Sequence, residues 1–353
     1  MSLDKLRKKI DILDRKLITL LNLRASVTQN IGKIKINSGK KIYSPERESQ
    51  ILSRIFSLNK GPLKNFALES IYREVMSASL ALEKPLKIAY LGPQATFTNL
   101  AAIKKFGSQV GYLPCNSISD VFLEVEKDNA DYGVVPIENS SEGAVSHTLD
   151  VFVDSDLKIC SQVILEITHN LLANCAKNKI HMVYSNPYVF GQCRIWLQKN
   201  LPNARLIEVS STSQSAELAG KEKNSAAIAS LLASKVYGLK VLADGIQDFS
   251  HNVTRFLVIG KNVAARTGKD KTSLFFLIKD RIGALHDMLL PFRKYGVNLT
   301  KIESRPSKRK AWEYYFFIDI LGHQDDPSVK KALKELDHKC SYLKILGSYP
   351  VGE

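Results

Sequence analysis

Several things that a chain of 353 residues could carry are missing. None of the five cysteines (115, 160, 175, 193 and 340) forms a C-x-x-C pair, and none of the seven histidines lies in an H-E-x-x-H arrangement. A disulfide framework and a zinc site are therefore not expected, and neither metal nor cofactor is assigned. No apolar run is long enough to span a bilayer, and the first ten residues already carry Asp4, Lys5, Arg7, Lys8 and Lys9 in an amphipathic pattern. The expectation is a cytoplasmic protein with no membrane partner. Low-complexity tracts, internal repeats, and C2H2, RRM-like and P-loop patterns are also absent. Aromatic residues are not interleaved with basic ones as single-strand binding requires, so no nucleic-acid partner is expected.

What is present is an ordinary globular composition, 44% hydrophobic and 24% charged, on a chain long enough for two or three domains. The net charge of +15 is uneven. Residues 1–84 hold 17 Lys and Arg against 8 Asp and Glu, a net +9, whereas 85–266 carry +1 and 267–353 carry +5. A basic N-terminal segment without nucleic-acid features points to a small anionic ligand.

Residues 3, 6, 10, 13, 17, 20, 24, 27, 31 and 34 alternate spacings of three and four, and nine of the ten are Leu, Ile or Val. This predicts a helix from about Ser2 to Asn37, roughly 50 Å long, which fewer than a hundred residues cannot cover alone. Packing along a partner chain is therefore expected. Helices at about 45–58 and 64–83 complete an all-α unit. The odd seam position is Arg24. A guanidinium in a core costs several kcal/mol unless an anion pairs with it. Lys35, eleven residues on, returns to nearly the same face, and Arg7 sits one step from the seam. Two readings stay open: Arg24 pairs with Glu48 or another acid to fix register, or it belongs to a cationic pocket in a helical dimer.

From Lys87 the pattern becomes α/β. The segments KIAYLG, QVGYLP, DYGVVPI, KICSQVILEI, HMVYS, ARLIEV and NSAAIAS read as strands, separated by helices such as 117–127, 187–199 and 213–222. Strands end in polar clusters, among them ENSS after Ile137, where ligands of open α/β sheets sit. After a polar linker, residues 272–349 read strand (272–278), helix (283–295), strand (298–305), strand (312–320), helix (327–338), strand (341–349). This βαββαβ order is ferredoxin-like.

In order along the middle segment, YLGPQATFT, GVVPIENSSEG, STSQSAELA, AAIAS, YGL and NVTRF resemble prephenate dehydratases. GAL at 283–285 and NLTKIESRP at 298–306 resemble the phenylalanine-sensing ACT domain, and the N-terminal helices are similar to all-helical chorismate mutases. Together the chain resembles the bifunctional chorismate mutase/prephenate dehydratase family. The resemblance implies a mutase domain at 1–84, a two-lobed dehydratase domain like periplasmic binding proteins at 86–263, and an ACT domain at 271–350. It also implies chorismate and prephenate as substrates, L-phenylalanine as effector, and a homodimer or higher oligomer.

By that resemblance Arg7 of one chain and Arg24 of the other clamp the carboxylates of chorismate, Lys35 donates to its ether oxygen and Glu48 accepts from its ring hydroxyl. Ser79 is retained, while Ser44 stands where an Asp is frequent and Glu83 where a Gln donates to the ether oxygen. In the dehydratase segment Thr254 is implied as general acid, with Thr96, Glu138, Asn139, Ser140, Ser185, Gln192, Arg255 and Phe256 around the substrate. Arg255 also fits a structural ion pair, and His169 a structural role. The implied effector residues are Gly283, Ala284, Leu285, Asn298, Leu299, Glu303, Ser304, Arg305 and Pro306. Further departures are Ala95 in the first loop, Asn186 and Tyr188 after Ser185, and Ile282 and His286 around GAL.

Two rival classes are a solute-binding receptor, which would need a signal peptide and no Arg-bearing helical domain, and a basic amino-acid-responsive nucleic-acid regulator, whose binding would be strongly salt-dependent. A carboxyl at 83 donates only when protonated, so mutase activity is expected to decline toward alkaline pH and Glu83→Gln to flatten that profile. An unchanged pH profile in the variant would remove Glu83 from the role.

Overall fold

The computed structural model describes residues 2–39, 41–249, 251–278, 281–307 and 313–351. The chain folds as two compact units, residues 1–87 with 104–111, and residues 88–103 with 112–353.

The first unit is helical. Helix α1 (Leu3–Asn37) runs without a break until Gly39, whose positive φ of 63° ends it. Helices α2 (Pro45–Leu58) and α3 (Asn65–Glu83) follow, with Pro45 opening α2 at the position where its missing N–H costs nothing. The seam of α1 buries little in its own chain: Leu3, Leu6, Ile10, Leu13, Leu17 and Leu20 are 42–62% exposed. Its buried residues, Thr28 and Gly32, lie near the C-terminal end. Gly32 is needed there because a Cβ would meet Glu83 of α3 at 2.9–3.1 Å. Residues 104–111 close this unit. Ser77 Oγ accepts from the Gln109 N–H at 3.0 Å, Glu74 accepts from Ser108, and the rings of Phe106 and Tyr43 lie 5.0 Å apart.

The second unit begins with a lobe of β1 (Lys87–Leu91), α4 (Phe97–Phe106, its last three residues counted in the first unit), β2 (Gly111–Cys115), α5 (Ile118–Glu126), β3 (Tyr132–Asn139), β4 (Gly143–Ala144), α6 (Ser146–Asp154) and β5 (Lys158–Glu166). The chain then builds a second lobe from β6 (Asn170–Ala173), β7 (Met182–Ser185), α7 (Pro187–Gln192), α8 (Arg194–Asn200), β8 (Arg205–Glu208), α9 (Thr212–Lys221), β9 (Ser225–Ala229), α10 (Leu231–Tyr237) and β10 (Lys240–Ala243). It returns as β11 (Val253–Gly260) to the first sheet, whose order is β2-β1-β3-β11-β5; the second sheet runs β10-β6-β9-β7-β8. The helix expected over 187–199 is divided at Cys193, and the short strands β4, β6 and β10 were not among those read from the pattern.

The last part carries β12 (Asp270–Leu277), α11 (Ala284–Lys294), β13 (Leu299–Pro306), β14 (Tyr314–Leu321), α12 (Pro327–Lys339) and β15 (Tyr342–Pro350). Its sheet order, β13-β14-β12-β15, is the ferredoxin-like one expected. Of the strand expected over 312–320, Trp312 lies outside the described residues. One face of this sheet packs under its helices, Phe276 and Ile318 against Met288 and Phe292. The other joins the core of the first lobe, where Phe275, Phe317 and Tyr349 meet Ile137, Phe152 and Ile159. Gly347 of β15 allows that contact, since any Cβ there would overlap the backbone of Ile159 on β5. Backbone cannot step aside as a side chain does, so Gly347→Ala is expected to cost about 3 kcal/mol and to lower the thermal unfolding midpoint. An unaltered midpoint would contradict the packing.

Candidate active sites

The helical unit holds a cavity of about 390 Å³. Among the described residues, five cations line it, Arg24, Lys35, Arg47, Arg73 and Lys105, against the two carboxylates Glu48 and Glu83. Such an excess in a half-enclosed apolar setting suits a small dianion. Arg24 does not pair with Glu48: its Nη1 donates to Ser79 Oγ at 2.5 Å, and Ser79 in turn donates to the Val75 carbonyl. Lys35 Nζ donates to the Ile42 carbonyl at 2.7 Å and to Glu83 Oε2 at 2.9 Å. Glu83 is therefore an acceptor toward Lys35. Glu48 Oε2 accepts from the Tyr43 hydroxyl at 2.9 Å, while Oε1 takes Arg73 and, at 3.1 Å, Lys105. Burial disfavours the Glu48 carboxylate, but Lys105 and Arg73 outweigh it and hold the carboxyl below its ordinary value. Ser44 also lines the cavity; Arg7 lies exposed on α1 and does not line it in its own chain.

In the second unit a polar relay gathers at the ends of β3 and β11. The amide of Asn139 is oriented by the turn that follows it, because its Oδ1 accepts from the backbone N–H groups of Ser141 (2.9 Å) and Glu142 (3.1 Å). Backbone N–H groups only donate, so Nδ2 must point the other way. It donates to Thr254 Oγ1 at 2.7 Å and to Asn252 Oδ1 at 2.8 Å. Thr254 accepts this bond and so keeps its own proton for another acceptor. Asn252 passes the relay to Gln192 Oε1 at 3.0 Å, which also takes His169 Nε2 at 2.7 Å; Gln192 Nε2 reaches Glu142 at 3.3 Å. His169 thus carries its proton on Nε2, and burial lowers its pKa, which keeps it neutral. The ENSS stretch is polar because it builds an amide that orients a hydroxyl.

Several expected residues do not join this cluster. Asn139 faces Thr254 across the β3–β11 ladder and Glu138 faces Arg255, so strand alternation turns the second pair to the opposite side of the sheet. There Arg255, 9% exposed, donates to Gln162 (2.9 Å), Asp319 (2.6 Å) and Tyr349 (2.8 Å). Burial opposes its charge, but Tyr349 and Asp319 raise its pKa, so it is a structural ion-pair partner rather than a carboxylate clamp. Glu138 forms an ion pair with Lys301 of β13, 2.9 Å away though poorly aligned for a hydrogen bond. Phe256 is 2% exposed and belongs to the core. Ser185 is fully buried and donates to the Ile228 carbonyl. Ser140 donates to the His251 carbonyl and accepts from the Val253 N–H, and Thr96 donates to the Leu91 carbonyl while accepting from the Asn99 N–H.

Among the expected effector residues, Gly283, Ala284 and Leu285 line a cavity of about 290 Å³ with Arg281, Tyr314 and Phe316. Asn298, Leu299, Glu303, Ser304, Arg305 and Pro306 do not line it. On β13 Lys301, Glu303 and Arg305 share the more buried face, with Arg305 reaching Asp150 of α6 at 3.3 Å, whereas Ser304 and Pro306 are exposed. Residues that sequence reasoning left out are Tyr43, Arg47, Arg73 and Lys105 in the helical cavity, and Asn252 and Glu142 in the relay. Arg73, at the i−6 position from Ser79 on α3, and Asn252, inside NVTRF, lay within quoted or helical segments; Lys105 offered no signal.

Removing the Asn139 amide releases the Thr254 hydroxyl from its donor. With Thr254 as the proton donor that the resemblance implies, Asn139→Ala is expected to lower dehydratase kcat by about 10- to 100-fold with mutase turnover unchanged, measured on prephenate and chorismate separately. Full dehydratase activity would show that the hydroxyl needs no such orientation.

Three family descriptions match in succession: chorismate mutase type II over residues 6–84, prephenate dehydratase over 88–264 and ACT domain over 272–338. A bifunctional chorismate mutase/prephenate dehydratase of Aquifex aeolicus is 50% identical over 99% of this chain and 98% of its own length, and one of Stutzerimonas stutzeri is 45% identical over 99% and 97%. The structure of an Arthrobacter aurescens prephenate dehydratase in complex with L-Phe aligns with a TM-score of 0.71 at 35% identity, covering 75% of this chain and 90% of that one. The chain belongs to the bifunctional chorismate mutase/prephenate dehydratase family.

Proposed function

We propose that the helical cavity rearranges chorismate to prephenate and that the relay around Thr254 dehydrates and decarboxylates prephenate to phenylpyruvate, under feedback by L-phenylalanine. One observation carries the reading above the others: the chain holds two sites built from different residues, a cavity with five cations against two carboxylates and a hydroxyl oriented by an amide.

The first reaction needs no nucleophile. A dianion has to be held folded, and charge building on its ether oxygen has to be stabilised. Arg24 with Ser79 grips a carboxylate, Lys35 donates to the ether oxygen once it turns from Glu83, and Glu48 accepts from the ring hydroxyl. Arg7 reaches the site from a second copy of the chain. The exposed aliphatic seam of α1 supports that homodimer, because six large side chains left 42–62% exposed along one helix are an interface in waiting.

In the second reaction the ring hydroxyl of prephenate leaves as carbon dioxide departs, and aromatisation supplies the driving force. Thr254 donates its proton toward the departing oxygen while Asn139 fixes its rotamer. Phenylalanine binds beside Gly283, Ala284 and Leu285, its ring against Tyr314 and Phe316. Its binding biases β13 and β14, and thus the Lys301–Glu138 and Asp319–Arg255 pairs one residue away from Asn139 and Thr254. A cytoplasmic location fits a chain acting on such intermediates, and no described helix is long and apolar enough to cross a membrane.

Supplied with chorismate, the protein is expected to form prephenate and then phenylpyruvate. Arg24→Ala should abolish the rearrangement and Thr254→Ala only the dehydration. A Thr254→Ala variant with full dehydratase activity would show that the acid lies elsewhere.

A further inference from the structure

The cavity of the helical unit is completed by a residue outside residues 6–84, the stretch that matches chorismate mutase type II. Lys105 stands in the last turn of α4, and its ammonium converges with the Arg73 guanidinium on one oxygen of Glu48. The arrangement is braced rather than adventitious. Arg73 Nη1 also donates to the Lys105 carbonyl at 2.9 Å, the Tyr43 hydroxyl holds the second Glu48 oxygen, and Phe106 packs on the Tyr43 ring. Glu48 itself is 8% exposed, and the Lys105 side chain 14%. Two cations on one buried carboxylate exceed what its charge alone requires. What they achieve is to fix an acceptor at the cavity wall in one position and one protonation state.

We infer that Lys105, with Arg73, is a positioning residue of the chorismate rearrangement, holding Glu48 as the carboxylate that accepts the ring hydroxyl. The inference rests on the role proposed above for Glu48. The charged and titratable groups facing the cavity are Arg24 and Lys35 of α1, Tyr43 and Arg47 at and before the first turn of α2, Arg73 and Glu83 of α3, and Lys105. Of these, Tyr43, Arg73 and Lys105 touch the Glu48 carboxylate. Without Lys105 the buried carboxylate is less compensated and binds a proton at higher pH, so the acid limb of the mutase profile moves upward.

The test uses the full-length protein, with mutase assayed on chorismate across pH and dehydratase on prephenate as the control for folding. Lys105→Met is expected to lower mutase kcat/KM about tenfold near neutrality and to raise the acid limb by about one pH unit, whereas Lys105→Arg retains both and dehydratase stays within about twofold. In a Glu48→Gln background Lys105→Met should add little, since a residue acting through another is not additive with it. An unmoved acid limb, an equal cost in both backgrounds, or parallel loss of both activities would overturn the inference. If Glu48→Gln is impaired while Lys105→Met is not, only the inference fails; full mutase activity in Glu48→Gln removes the reading of Glu48 and the inference with it.

Discussion

Burying positive charge is the constraint around which both units are arranged. In the second unit the guanidinium of Arg255 has each edge occupied, by Gln162, Asp319 and Tyr349, and the last two come from strands of the ferredoxin-like sheet. Losing one partner from such a group leaves an unanswered charge in a poorly solvating interior, a cost of about 3–5 kcal/mol. That sheet is consequently fastened to the first lobe by more than apolar contact. The pair directly beside Arg255 on the same two strands is Thr254 and Asn139. A displacement of the outer sheet is therefore felt one residue from the Thr254 hydroxyl.

In the helical unit the logic is inverted. Positive charge is left in excess around a cavity, where five described cations meet two carboxylates. The two acids present are each already engaged, Glu83 by Lys35 and Glu48 by Arg73 and Lys105. Arg24 is answered by a hydroxyl and Arg47 by the Gln50 amide, neither of them a counterion.

Much of this was readable in the sequence. The alternation of three and four along α1, with Arg24 as its exception, pointed to both the helix and its site, and the βαββαβ order followed from period and turn signals. The polar knot after Ile137 marked the end of a strand where ligands sit. What could not be read was set by register and by distance along the chain. Glu138 and Asn139 are neighbours in sequence, yet which of them faces Thr254 depends on how β3 pairs with β11. Arg255 and Thr254 are divided by the same rule. Lys105 lies 57 residues from Glu48, in a segment whose pattern speaks only of a helix end. Short elements such as β6 and β10, four residues each, carry too little periodicity to stand out from loops.

The closing wall supplied by residues 104–111 bears on how such a chain could be cut apart. A gene split just before Ile88 would leave the helices with Arg24 and Lys35 but without the lysine braced against Glu48. A graft cut at that border would leave Glu48 with Arg73 and Tyr43 as its remaining described partners.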